Sequence, residues 1–377
     1  MRPHLQAARI AGVALLAGAA LPAHAAVITV GAGQDYATLG QAVSAASAND
    51  TIDITAGTYT NQVADITVPL TLQGVGGPVI FTATQQLSND KGFLIIDANT
   101  TVSGLTFEHA TADSSSNNGA GIRYQQGNLT VINSSFIANQ DGILATPNNA
   151  GTGSVTISNS LFLDNGIASG AGSGYAHAIY ANDVANLTVT NSNFQGTLVG
   201  HDIKSRAADS IITGNTLENG VTGTSSYAID LPNGGNATIT GNTIDKGPNT
   251  GNPTMIAYGE EGLIYAANTM QIDANSFVNT DPGTTFGINN SITDPTATNL
   301  TAACNAFDNV SNPTSGPVTL IGNVTGPSLP SCAAAYLPAV AEPPAAAALL
   351  PAVLALFSLR RRRAPLLRRS PAPAAGW

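Results

Sequence analysis

The sequence predicts an all-β chain wound as a parallel solenoid, and three observations carry that prediction. A six-residue motif recurs along most of the chain. Short alternating runs of Val, Ile and Thr lie within and between its copies, with no sustained helical period. A supply of 39 glycines, with many asparagines, provides the positive-φ corners that a tightly wound chain needs.

The chain opens with Arg2 and Arg9 before the apolar stretch 10–21, followed by Ala23-His24-Ala25. A basic start, an apolar centre and a small-x-small site read as an export signal over residues 1–25. The mature chain then begins near Ala26, and residues 26–333 are expected to form one solenoid domain.

The motif is apolar-x-(Gly/Asn/Ala)-(Asn/Ser)-x-apolar. It closes in turn on Phe107, Phe136, Phe162, Phe194, Leu217, Ile244, Phe277 and Phe307, at intervals of 23 to 33 residues. Strands this short, repeated at this spacing, do not make hairpins of matching length; they suit one solenoid turn per repeat with the closing residues stacked in the core. Asn159, Asn191 and Asn215 are expected to form stacked amide ladders in the turns.

Each repeat also carries a second strand centred on isoleucine: Ile122, Ile143, Ile179, Ile203 and Ile229. Stacking these isoleucines aligns an outward column Arg123, Leu144, Tyr180, Lys204, Asp230. Arg206 shares its face if the strand continues. Two positions before each isoleucine runs a second column with His177, His201 and Tyr227.

Toward the end, Cys304 and Cys332 are the only cysteines, and an exported chain favours their pairing as a disulfide. A linker over 334–344 leads to the apolar run Ala345 to Leu359, then Arg360 to Arg363, Arg368 and Arg369, with 370–377 trailing. The run is short for a membrane span, which takes about 20 residues.

Between the two ends the only basic residues are Lys91, Arg123, Lys204, Arg206 and Lys246, against every acid of the chain except Glu342. So acidic a body does not bind nucleic acid by bulk electrostatics. An anionic substrate needs a local cationic patch, and Lys204 with Arg206 is the densest one.

These repeats resemble the right-handed parallel β-helix superfamily, the pectin-lyase-like fold, over nearly all of residues 27 to 333. The entry segment VGAGQDYATLGQAVSAASANDTIDITAGTY resembles that family's N-terminal region, which implies a short amphipathic helix, about Thr38 to Ala46, capping the open end. Glu342-Pro343-Pro344, the apolar run and the arginines resemble the PEP-CTERM sorting tail of Gram-negative bacteria. That likeness implies an exosortase-type sorting machinery as partner, delivery to the cell surface, and membrane contact only through the tail. The tripeptide departs from Pro-Glu-Pro, and residues trail the arginines. A plain membrane anchor is the alternative.

Within the fold, Lys204-Ser205 followed by AADSIITGNTLENG resembles the first half of a signature of polysaccharide lyases related to chondroitinase B and alginate lyase. The second half, an Arg-His-Gly one coil later, is replaced by YAIDLPNGG at 227–235. Lys204 therefore carries over and the family's arginine does not, which leaves its role to Arg206 or a tyrosine. The paired aspartates of glycoside hydrolases, the Asp-Pro-His of mannuronan C5-epimerases and the Asp and Arg blocks of pectin methylesterases are absent.

The resemblance implies an acidic polysaccharide as ligand and a uronate lyase or C5-epimerase-like reaction; a non-catalytic carbohydrate-binding or matrix solenoid is the alternative. Elimination on a uronate requires neutralising the C6 carboxylate, removing the C5 proton and protonating the leaving O4. Arg206 is the expected neutraliser, Lys204 or His201 the base, and Tyr180 or Tyr227 the acid. His177 is expected to contact substrate, and Asp230 to hold a cation, either Lys204 or a bound calcium. Glu260-Glu261 is a further candidate calcium pair. The competing reading makes Lys204, Asp202 and Asp230 a solvated ion-pair set and the two histidines turn residues bonded to backbone carbonyls.

Overall fold

In the computed structural model, the described residues are 25–113 and 117–337. The expected export signal up to residue 24, most of the linker, the apolar run and the arginine tail lie outside them. Among the described residues no helix is long and apolar enough to cross a membrane.

The described chain winds as a right-handed parallel β-helix, and every strand pairing is parallel. Each full coil contributes three strands where the sequence motif suggested two. Asn128–Ile132, Ser135–Ile137 and Asp141–Ala145 make one such coil. The first two kinds of strand join into a 21-stranded sheet and the third into a 10-stranded sheet. The right hand follows from the twist of L-residue strands, which favours right-handed crossovers between parallel neighbours.

The motif itself is a corner. Its first half ends one strand, its third residue turns with positive φ, and its second half starts the next strand. That third position is Gly104, Asn133, Asn159, Asn191, Gly214, Gly241, Ala274 and Cys304 on successive coils, with φ between 49° and 67°. Asparagine and glycine dominate because the left-handed region is cheap for them and costly for branched residues.

This corner corrects the expected asparagine ladder. Asn159 and Asn191 occupy the left-handed position, whereas Asn215 sits one residue further on, level with Ser192. The amide ladder is Asn215, Asn242, Asn275, Asn305 and Asn323. Each Oδ1 accepts the backbone N–H and Nδ2 of the preceding member at 2.8 to 3.0 Å. Each buried Nδ2 from Asn215 to Asn305 also donates to a backbone carbonyl of an earlier coil. Ser134, Ser160 and Ser192 fill the same column earlier, with hydroxyls standing in for amides.

The closing residues pair in the expected register from Phe107 through Phe307. Their rings stack through Phe81, Phe107, Phe136, Phe162 and Phe194 at centroid separations of 4.7 to 5.5 Å. Each such pair adds about 0.5–1.5 kcal/mol beyond its buried area.

Leu39–Ala45 is the capping helix, with Thr38 as N-cap accepting the Gln41 N–H and Ala46 as C-cap. Leu39 and Ala42 close the core. At the other end Cys304 and Cys332 are joined, Cα atoms 5.7 Å apart, and the turn Ser331–Ala335 runs across the expected boundary at 333.

Candidate functional site

The third strand of each coil positions the candidate residues. Ile122, Ile143, Ile179, Ile203 and Ile229 pair in register and are fully buried. Alternation then turns the next residue outward. Arg123, Leu144, Tyr180, Lys204 and Asp230 form the expected column, continued by Ala257 and Asn289. The strand Ile203–Ser205 ends one residue before Arg206. The Arg206 N–H still reaches the Ala181 carbonyl at 2.8 Å, which keeps its side chain on the face of Tyr180.

Lys204 and Arg206 converge. Arg206 Nε donates to the Tyr180 hydroxyl at 2.9 Å, its NH1 donates to Asn233 Oδ1, and its NH2 donates to Glu261 Oε2 at 2.6 Å. Lys204 Nζ lies 3.4 Å from both Asp230 Oδ2 and Glu261 Oε1. Tyr180 lies beneath both cations, its ring centroid 5.7 Å from Lys204 Nζ and 6.0 Å from the Arg206 guanidinium carbon. The Glu261 side chain is 47% exposed, and its bond to Arg206 holds its carboxyl below the usual range.

Glu261 arrives from 55 residues away in sequence. The loop after Tyr258 folds back, with the Glu261 N–H on the Pro232 carbonyl and the Tyr265 hydroxyl on the Arg206 carbonyl. Expected only as half of a calcium pair, Glu261 is the bridge between the two cations. Its one sequence signal was that Glu260-Glu261 is the only adjacent acid pair. Asn233 and Tyr265 carried no signal at all.

Glu260 follows the strand that carries Ala257, the small member of the outward column. Its Oε1 accepts from Asn289 Nδ2 and Ser291 Oγ at 3.4 Å, one coil on. Burial, then the charge of Asp230, pushes its carboxyl up to about 7. Asp230 is itself buried, which pushes it up to about 6 against the pull of Lys204.

The second column behaves differently from its expected role. The rings of His177 and His201 stack at 4.7 Å, and those of His201 and Tyr227 at 5.1 Å. His177 Nδ1 accepts the His201 N–H at 3.0 Å, and His201 Nδ1 accepts the Tyr227 N–H at 3.1 Å. Both imidazoles therefore bond backbone amides, not carbonyls, and both carry their proton on Nε2. Burial, then the charges of neighbouring basic groups, holds both neutral, with His201 down to about 3.

Three expectations, those for His201, His177 and Tyr227, are corrected by this geometry. His201 has no free lone pair for a C5 proton, because Nδ1 is engaged and Nε2–H lies 3.4 Å from Asp230. His177 is 2% exposed and edges against the Tyr180 ring at 5.2 Å, so it supports Tyr180 and does not contact substrate. Asp230, equally buried, acts through Lys204. Tyr227 belongs to the histidine stack and makes no hydrogen bond to Lys204 or Arg206.

Calcium does not suit this cluster. Among the described residues no group of three or more His, Cys, Asp or Glu side chains is placed to hold a metal ion. Asp230 and Glu261 are already committed to Lys204 and Arg206.

No family model and no curated protein matches this sequence. Among solved structures, the chain is similar to a pectin methylesterase from Aspergillus niger at 14% identity. That likeness covers 68% of this chain and 86% of that one, with a TM-score of 0.44. It is similar to ORF18 of Geobacillus virus E2 at 11% identity, covering 76% of this chain and 56% of that one, with a TM-score of 0.44. It is also similar to a mutant PL6 family alginate lyase at 14% identity, covering 80% of this chain but 40% of that one, with a TM-score of 0.44. The fold rests on the strand register and the site on its own contacts; these likenesses carry neither.

Proposed function

We propose that the protein binds an acidic polysaccharide, with a uronate carboxylate seated between Lys204 and Arg206. The observation that carries this is Glu261. A half-exposed carboxylate from a distant loop lies across the two cations, one oxygen toward each. A uronate carboxylate has the same shape and charge, and a planar guanidinium beside an ammonium is a good donor set for it. Tyr180 below the cations offers a face for the sugar ring.

Elimination is the second reading, favoured by the Tyr180 hydroxyl lying 2.9 Å from Arg206 Nε. In it Arg206 neutralises the C6 carboxylate and Lys204, released from its carboxylate partners, takes the C5 proton. The C4–O4 bond breaks as the C4–C5 double bond forms, and Tyr180 protonates O4. An epimerase variant returns the proton to the other face of C5 instead. His201 and Tyr227 shape the wall beside this centre.

Export fits the Cys304–Cys332 disulfide. An export signal over 1–25 and surface sorting or anchoring through 345–369 complete the reading, in a Gram-negative envelope.

Calorimetric titration with polyuronates, beside a neutral glucan, tests the binding. Polyuronate binding that falls at least about tenfold in Lys204→Ala and in Arg206→Ala, with the melting curve unchanged, supports it. Equal binding of the neutral glucan ends it. Absorbance of an unsaturated uronate, or altered sugar stereochemistry by NMR, separates turnover from binding alone.

A further inference from the structure

We infer that Arg123 is a second carboxylate subsite, three rungs from Lys204, for an acidic polysaccharide chain laid along the solenoid axis; this rests on the function proposed above. The register joins Arg123 to Leu144, Leu144 to Tyr180 and Tyr180 to Lys204. At about 4.8 Å per rung the two cations stand about 14 Å apart on one outward column. A rung is close to one pyranose residue in length, so the cations address carboxylates about three sugars apart.

Arg123 is unusual among the basic residues. It is half-buried, makes no ion pair or hydrogen bond among the described residues, and its Nε is shut off from solvent without a partner. Asp141 is the acid whose charge it feels most, yet Asp141 is buried and its Oδ1 accepts the His177 N–H at 2.8 Å. An Nε–H held in this state has lost hydration without gaining a protein partner, which is costly unless a ligand supplies one. Burial pushes Asp141 up to about 7, so it balances Arg123 only in part at neutral pH.

The surroundings give the chain a direction. Between Arg123 and Lys204 the column holds the buried Leu144 and the half-buried Tyr180, neither of them charged. Beyond Lys204 the column continues with Asp230, and Glu260 follows from the loop after Tyr258; both acids repel a polyanion. A bound chain therefore extends toward Arg123. Asp65, two rungs past Arg123, limits it at the far side.

The test is calorimetry on the exported chain with a uronate trimer and hexamer, using wild type, Arg123→Gln, Arg123→Lys and Lys204→Ala. The expected result is a roughly tenfold loss of hexamer affinity in Arg123→Gln with trimer affinity unchanged, and most of the hexamer affinity retained in Arg123→Lys. Hexamer binding that survives Arg123→Gln but is lost in Lys204→Ala overturns the subsite alone. Equal losses for trimer and hexamer in Arg123→Gln overturn it too, since they mark a general disturbance. No binding of either oligomer by wild type overturns the proposed function, and the subsite with it.

Discussion

The carboxylate of Glu261 bridges Lys204 and Arg206, with Oε1 3.4 Å from the ammonium and Oε2 2.6 Å from the guanidinium. If a uronate takes that place, Glu261 competes with it. Glu261→Ala is therefore expected to raise polyuronate affinity several-fold, because an exposed competitor is removed while both cations stay. Calorimetry on the variant checks this. A fall in affinity means that Glu261 builds the site instead of covering it.

Acidification is expected to strengthen polyuronate binding. Burial lifts Asp230 to about 6 and Glu260 to about 7, so both lose charge as pH falls from about 7.5 to 5. Glu261, held low by Arg206, keeps its charge over that range. Lys204 is then freed from one competitor while the uronates remain ionised. The rise is expected to shrink in Asp230→Asn, and a pH series of titrations on both proteins reads it. Binding that weakens on acidification contradicts the assignment.

The same burial sets a stability profile. The folded pKa of Asp230 lies above its unfolded value near 3.8, so its contribution is fully present below that value and is lost as pH rises through about 6. In Asp230→Asn the decline of melting temperature between pH 4 and pH 7 is expected to be shallower than in wild type. A parallel pair of profiles from thermal scans rules this out.

The amide ladder should be costly to interrupt. Asn275→Ala removes the acceptor of the Asn242 N–H and Nδ2 and the donor to the Ile239 carbonyl, all buried. A loss of about 2–4 kcal/mol is expected from these orphaned groups, measured by chemical denaturation. A loss below about 0.5 kcal/mol shows that water enters the gap and satisfies them.

Breaking the disulfide by Cys332→Ser is expected to cost roughly 3 kcal/mol if the end of the solenoid unfolds with the rest, given a sequence separation of 28. If only the last coil opens, hydrogen exchange rises around 299–321 while global unfolding stays put.

The periodicity carried most of the fold. Strands of alternating Val, Ile and Thr with a left-handed corner every 23 to 33 residues have one economical way to bury their apolar side, which is stacking in parallel register. Phe107 to Phe307 and Ile122 to Ile229 consequently aligned coil on coil, and Tyr180, Lys204 and Asp230 with them. The corner was legible only in outline: Asn191 and Asn215 look alike in sequence, but one residue of offset sends the first to a left-handed backbone and the second to a buried ladder.

The charge state of the site was decided elsewhere. Position in a column says which way a side chain points, not what returns to meet it. Glu261 and Tyr265 reach Arg206 through a loop fold that no local pattern encodes. The histidines lost their expected roles to backbone amides of neighbouring coils. By itself the sequence determined the solenoid and the outward cationic column, because both follow from short-range periodicity. Only the tertiary structure determined which of those charges are paired, buried or left open, because burial and pairing depend on segments dozens of residues apart.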